Sequence, residues 1–383
     1  MSQSQSTVHQ TTPPHLNPKS RIVSIQVCRG LAALLVVLAH LHNLEVKYLT
    51  SNRLGMLQYG VSGVDMFFVI SGIVISAVTA GQQPDLKNAA KFLYQRFARV
   101  FPIYWIYSAL VLAAFLHNPL LVNAESGHRV HILASFFLLP TDMPMLLVQG
   151  WTLSYEVYFY SVFFLLLLFC PERFRLPAVL LWVAAALALY FSAHVHTPLF
   201  ACLTSPLLLE FLVGCLLYQL YRRTRLHPYA GVALLSAAVL GFTFVVRWTT
   251  HAHGSDQQWI EYSPLFRSTF YGSVAALFVF GLMELERSRL VSFTGPLVAI
   301  GDWSYSMYLS HTIVLKLVFH ACTVYAPALS IVPIALVSLL AVLVISYASF
   351  TFLERPLLRL LYKPSRRPAV LPHARGEQVP VSG

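Results

Sequence analysis

Ten long apolar runs organise this chain, at roughly 24–43, 60–80, 99–117, 148–170, 177–195, 199–220, 229–247, 266–284, 297–321 and 330–353. Each approaches the ~20 residues that a helix needs to cross ~30 Å of hydrocarbon. The expected fold class is all-α: a polytopic membrane protein with about ten transmembrane helices. Residues 1–20 are polar and contain Pro and Gln, which predicts a disordered tail without the charged start and early apolar run of a signal peptide. Residues 21–357 then read as one transmembrane domain, and 358–383 as a basic tail rich in Pro and Arg. The longest connection, about 118–147, has room for a short amphipathic helix.

Composition agrees with the pattern. Hydrophobic residues make up 57% of the 383 and charged residues only 11%, where a soluble domain carries about 25% charge. The mean hydropathy is +0.65. With the N-terminus placed in the cytoplasm, twenty of the 26 Lys and Arg lie on the cytoplasmic side. Five lie outside (Lys47, Arg53, Arg129, Arg247 and Arg267), and Lys316 falls within the ninth run. That bias predicts cytoplasmic N- and C-termini and accounts for most of the net charge of +11 through topology and anionic lipid, without nucleic acid. The five cysteines form no C-x-x-C pair and mostly lie in apolar surroundings, so they read as packing residues, and no metal-ligand set stands out. The chain has neither a repeat of twenty to fifty residues nor matched broken helices in two halves.

Polar residues inside the apolar runs carry the chemistry. Arg29 and His40 are eleven residues apart in the first run. That is about three helical turns, so both side chains face the same way, about 16 Å apart along the axis. A charge near the bilayer centre costs about 2.5–3.5 kcal/mol on insertion scales, and a stripe that keeps both groups suits a polar, elongated ligand. Counted from the cytoplasmic edge, Arg29 lies about 7 Å deep, Glu156 about 18 Å, His311 about 21 Å, Asp65 about 22 Å and His40 about 24 Å. Two histidines and two carboxylates are thereby expected in the outer half, with Arg29, Arg96 and Arg99 at the inner mouth.

This division suits transfer of an acyl group to a hydroxyl. A neutral imidazole takes the proton of an alcohol, and a nearby carboxylate fixes its tautomer. Guanidinium groups bind phosphate bidentately and stay charged. Plainer readings stand beside each assignment. Arg29 can be a topology residue or a snorkelling headgroup contact, and His40 a core histidine bonded to a carbonyl. Asp65, Glu156 and Glu210 can be structural partners between helices. Arg96 and Arg99 can serve topology alone, and His42, two residues past His40, faces the other way and reads as interfacial.

The local strings carry a resemblance. Ile25-Gln26-Val27-Cys28-Arg29-Gly30-Leu31-Ala32-Ala33 opens the first run and supplies an R-x10-H pattern with Arg29 and His40. Gly63-Val64-Asp65-Met66-Phe67-Phe68-Val69-Ile70-Ser71-Gly72, Arg96-Phe97-Ala98-Arg99 with Pro102, and Trp151-Thr152-Leu153-Ser154-Tyr155-Glu156 follow in order. Glu210 with Gly214, Ser304 to His311, and Phe352-Leu353-Glu354-Arg355-Pro356 complete the set. Over about 21 to 357 the chain resembles acyltransferase family 3, integral membrane O-acyltransferases of glycans and some small metabolites. It is nearest the bacterial exopolysaccharide acetyltransferases. The resemblance implies ten core helices, acyl-coenzyme A as donor substrate with no permanently bound cofactor, functionally essential Arg29 and His40, and Arg96 and Arg99 near the donor's polar end. It also implies the form without a fused esterase-like domain.

The expectation from these observations is a bacterial inner-membrane enzyme moving an acyl group, acetyl by preference, from cytoplasmic acyl-coenzyme A to a sugar hydroxyl of a surface or lipid-linked glycan. Arg29, Arg96 and Arg99 hold the donor. His40 is the base or nucleophile, oriented by Asp65 or Glu156. Trp151, Ser154, Tyr155, Tyr158 and His311 are the candidates for substrate or oxyanion contact. The rival classes are a proton-coupled transporter or flippase, in which His and acid clusters form a relay, and an acyltransferase with a small-molecule acceptor.

Overall fold

A computed structural model describes residues 22–122, 129–193, 195, 197–253 and 264–362. Among them, ten helices are long and apolar enough to cross a membrane: α1 (Val23–Leu49), α2 (Gly55–Thr79), α3 (Leu86–His117), α4 (Gly150–Phe169), α5 (Glu172–Ser192), α6 (Pro198–Arg223), α7 (Ala230–His251), α8 (Pro264–Arg287), α9 (Ser304–Tyr325) and α10 (Ile331–Leu361). The described residues contain no strand. In hydrocarbon, a helix satisfies its own backbone groups within one segment, which is why the apolar runs resolve this way. Residues 1–21, which include the expected N-terminal tail, lie outside the described residues, as do 363–383.

Helix ends depart from the apolar runs where polar chemistry sets them. Helix α3 starts at Leu86, before its apolar run, because the Asp85 side chain accepts from the Asn88 amide at 3.3 Å and caps a basic amphipathic stretch. The run at 297–321 is two helices, Pro296–Asp302 and α9, separated at Trp303. Helix α10 passes through a π-helical turn, Phe350–Glu354, and continues to Leu361, so 358–361 is helix and not tail. A second π-turn, Arg267–Tyr271, opens α8. The long connection holds one six-residue helix, Ile132–Phe137.

Helix α1 is the hub, packed against α2, α8, α9, α10 and the Pro296–Asp302 helix. It has no capping side chain of its own. Instead the Glu286 carboxylate, at the end of α8, accepts from the Val23 and Ser24 amides, both at 2.8 Å. A carboxylate there satisfies two orphan donors and meets the positive end of the helix dipole. Close approach of α2 to α1 depends on Gly63: a Cβ there would sit 2.3 Å from the Ala32 carbonyl oxygen. This contact sets the neighbouring Val64 against the interior beside Val36. Helices α5 and α7 are peripheral, each burying only about a fifth of its apolar window.

Candidate active site

Two adjoining cavities run beside α1. The arginine cavity, about 180 Å³, is lined by Arg29 of α1, Ser71 of α2, Arg96 and Arg99 of α3, Glu156 and Tyr160 of α4, and Tyr305 of α9. The histidine cavity, about 530 Å³, is lined by His40 and Asn43 of α1, Gln149, Trp151 and Tyr155 at the start of α4, Arg267 of α8, and Thr312 and Lys316 of α9. Val64, Thr152 and Tyr308 line both. The larger space falls in the roughly 300–1,000 Å³ range of small-molecule sites.

In the arginine cavity the guanidinium groups come from two helices. Arg29 lies within electrostatic reach of Arg99, Glu354 and Glu156. The Arg96 guanidinium lies over the rings of Phe92 and Tyr160, 5.7 and 5.9 Å from their centroids, and its buried Nε has no hydrogen-bond partner among the described residues. Glu156 accepts hydrogen bonds from Tyr160 and, at 3.3 Å, from Ser71. Glu354, set in the π-turn of α10, accepts from Ser306 at 2.5 Å. Two carboxylates therefore moderate a cluster of three arginines without forming an ion pair with any of them at salt-bridge distance.

In the histidine cavity a second imidazole backs the first. The His40 and His311 ring centroids are 5.0 Å apart, with the planes tilted by 49°. His311 is fully buried, and its Nδ1 lies 3.1 Å from the Met307 carbonyl oxygen. A carbonyl only accepts, so that nitrogen carries the proton and Nε2 carries a lone pair. No described residue pairs with this Nε2, nor with Asn43 Oδ1 or Gln149 Oε1. Two buried acceptors of cavity-lining residues, and a third on His311 beside His40, thus lack donors among the described residues. A buried polar group left unpaired costs about 1–3 kcal/mol, so such groups call for an explanation.

Several sequence-predicted residues sit elsewhere. Asp65 does not line the cavity that holds His40. It is fully buried against Arg267, with Nε and a terminal nitrogen donating to its two oxygens at 3.3 and 3.0 Å. Glu156 lies with the arginines rather than with His40, so neither carboxylate stands where an orienting partner was expected. Ser154 donates to the Gly150 carbonyl of its own helix at 3.3 Å, and Tyr158 packs on Trp182 and donates to Leu203. Neither faces a cavity. Trp151 and Tyr155 line the histidine cavity as expected of candidates for substrate contact. His42, expected at the interface, is buried on Glu45 at 3.4 Å.

Sequence reasoning passed over Arg267, Gln149, Tyr308 and Thr312. Arg267 had been counted only among the outer topology charges. The signal available was Asp65 itself, since a buried acid in an apolar run requires a partner. The other three are ordinary polar residues of helices, with no spacing that marks them.

The fold and these cavities define a multi-pass membrane protein whose polar interior joins a guanidinium cluster to an imidazole pair. The family model described as an acyltransferase domain matches residues 22–350, so the chain belongs to acyltransferase family 3 and is a membrane acyltransferase. It is 32% identical to the exopolysaccharide production protein ExoZ of Rhizobium meliloti, over 78% of this chain and 90% of that protein. The putative membrane-bound transacylase BcsY of Komagataeibacter xylinus is 27% identical, over 77% of this chain and 73% of BcsY. The peptidoglycan O-acetyltransferase OatA of Listeria monocytogenes is 25% identical, over 88% of this chain but only 56% of OatA. No solved structure matches the chain.

Proposed function

We propose that the protein moves an acetyl group from cytoplasmic acyl-coenzyme A to a hydroxyl of an exopolysaccharide sugar, across the bacterial inner membrane. One observation carries this: three arginines gather at one of two adjoining cavities and an imidazole pair stands at the other. The arginine side holds a buried donor without an acceptor, Arg96 Nε, as an anion-binding mouth would. The histidine side holds two lining residues whose buried acceptors lack donors among the described residues, Asn43 Oδ1 and Gln149 Oε1, as a site for a polyol would. Trp151 and Tyr155 add aromatic faces there.

With both termini in the cytoplasm, the arginine cavity opens inward. Arg29, Arg96 and Arg99 bind the phosphates of the donor, and its extended arm follows α1 toward the boundary between the cavities. The acceptor hydroxyl enters the histidine cavity, where His40 takes its proton as the oxygen attacks the thioester carbonyl. The new O–C bond forms, the C–S bond breaks, and the hydroxyl proton ends on the departing coenzyme A thiol. His311 takes the part first expected of a carboxylate. Its ring lies 5.0 Å from that of His40, centroid to centroid, and its Nε2 keeps a lone pair because Nδ1 donates to Met307, an acceptor for the imidazolium that forms. Among the relatives, ExoZ is named for exopolysaccharide production and OatA for O-acetylation of peptidoglycan.

The test uses inverted membrane vesicles carrying the protein and the host's own glycans, supplied with radiolabelled acetyl-coenzyme A. Label in the glycan fraction that depends on His40 supports the proposal. Glycan moved across the membrane without label marks a flippase instead, and label in a small molecule alone marks another acceptor.

A further inference from the structure

The two cavities meet at three side chains, Val64 of α2, Thr152 of α4 and Tyr308 of α9, the residues that line both. Two of these meet through their hydroxyls: Thr152 Oγ1 and the Tyr308 hydroxyl oxygen are 2.5 Å apart, and both residues are buried. The two side chains come from different helices, α4 and α9, so rotation of either breaks the contact.

The direction of the bonds follows from proton counting. Thr152 has one hydroxyl proton and gives it to the Gln149 carbonyl at 2.9 Å, which only accepts. The Tyr308 hydroxyl lies 3.5 Å from that same carbonyl, the longer of the two approaches, so in the pair Tyr308 is the donor and Thr152 the acceptor. Gln149 ties the arrangement together, its side-chain amide donating to the Tyr308 carbonyl at 3.0 Å and to Thr152's neighbour across the cavity, Thr312 Oγ1, at 2.9 Å. A carbonyl oxygen arriving from the arginine side can take the Tyr308 proton in exchange for Thr152. The donor then keeps one bond before and after, so the exchange leaves no group unpaired. Tyr308 also packs between Phe67, with ring centroids 5.7 Å apart, and His311, 5.9 Å away, which fixes the ring beside the imidazole pair.

We propose that this boundary is the acyl-positioning and size-selecting element of the transfer. The Tyr308 hydroxyl receives the thioester carbonyl oxygen and stabilises the developing oxyanion, Thr152 holds that hydroxyl at rest, and the Val64 side chain bounds the acyl chain. The inference rests on the donor proposed above. Of the residues singled out from the sequence for oxyanion contact, Ser154 and Tyr158 line neither cavity and Trp151 and Tyr155 line the histidine cavity alone, whereas Tyr308 lines both.

The experiment compares wild type, Tyr308→Phe, Thr152→Val and Val64→Ala in inverted vesicles given radiolabelled acetyl-, propionyl- or butyryl-coenzyme A. Tyr308→Phe keeps the ring and removes the donor, so its kcat should fall about 10²–10³-fold, the usual cost of losing one oxyanion donor, with KM for the thioester little changed. Thr152→Val is isosteric but removes both the resting acceptor of the Tyr308 hydroxyl and the donor to the Gln149 carbonyl, so it should lower acetyl transfer, though by less than Tyr308→Phe does. Val64→Ala should raise propionyl transfer relative to acetyl by at least about tenfold, the worth of a methylene in a tight pocket. A Tyr308→Phe enzyme at wild-type kcat, or wild-type donor ratios in Val64→Ala, would overturn the boundary's role while leaving the donor assignment intact. If the wild type passes label from none of the three thioesters, the donor assignment fails and this inference falls with it.

Discussion

The sharpest test of how this site is divided is the Asp65–Arg267 pair. Both groups are almost completely buried, 0% and 4% exposed, and they are joined by two hydrogen bonds between α2 and the π-turn that opens α8. Asp65→Asn keeps the shape of the side chain but removes the carboxylate to which two guanidinium nitrogens donate, leaving the buried Glu210 carboxyl as the neighbouring acid. Breaking a buried pair in this one-sided way costs about 3–5 kcal/mol, whereas replacing both members by apolar residues of similar volume is often neutral. The expected order of thermal stability, read by size-exclusion chromatography of heated detergent extracts, is therefore wild type close to Asp65→Leu/Arg267→Met, with Asp65→Asn well below both. Transfer to glycan, normalised to folded protein, should survive in the double variant, with the acceptor's KM raised because Arg267 lines the histidine cavity. If Asp65→Asn instead melts like the wild type and transfers nothing, Asp65 acts in the chemistry and the structural assignment of the pair is wrong.

Four further outcomes follow from the same geometry. His40→Ala should abolish transfer with the protein still present in the membrane at its normal level, and a near-normal rate would remove His40 from the mechanism. His311→Leu fills the space but supplies no lone pair, so it should lower kcat by about 10²-fold, the scale of general-base assistance, and His311→Asn should recover part of that loss; equal rates in the two variants would limit His311 to packing. Arg96→Lys and Arg99→Lys keep the charge but lose the planar fork, so both should raise KM for acetyl-coenzyme A more than they lower kcat, in steady-state assays of vesicles. Gly301→Ala should destabilise the protein by about 1–3 kcal/mol or more, because the added Cβ would lie 2.0 Å from the Gln26 backbone oxygen of α1; an unchanged melting midpoint would show that α1 and the Pro296–Asp302 helix part without cost.

The crossings were legible because bilayer insertion reads apolar length directly, and all ten runs recur as helices. Helix ends were less so. Asp85 extends α3 by capping a stretch that is too basic to count as apolar, and Trp303 divides a run that hydropathy treats as continuous. Within the site, depth was readable and facing was not. Rise per residue placed His311 near the height of His40, and the two rings do meet. The same arithmetic placed Asp65 and Glu156 near that height too, yet one turns to Arg267 and the other to the arginine cavity. Each residue rotates a helix by 100°, and the rotation of one helix against another is set by packing such as the Gly63 contact with Ala32, which no single apolar run encodes. Thr152 and Tyr308 escaped notice for the same reason: each is an ordinary helical residue until the other stands opposite it.

A physical requirement links the boundary to the membrane itself. In the proposed transfer a charged donor with phosphates stays on one side, while its acyl carbon must meet a nucleophile held by residues on the other. A continuous aqueous channel would satisfy that geometry but would also conduct protons down a potential worth about 2.3 kcal/mol per charge for each 100 mV. Two cavities divided by one hydroxyl contact meet both demands. At rest the Tyr308 proton lies on Thr152 and the cavities stay apart. On the proposed donor, the thioester itself would fill the gap, so that the group being transferred plugs the opening. It follows that Thr152→Gly/Tyr308→Ala, which deletes the contact without supplying a plug, should make vesicles leak protons in the absence of acyl-coenzyme A, read by collapse of an imposed pH gradient with a trapped fluorescent dye. A gradient that holds as well as in the wild type would mean that something other than this pair seals the passage.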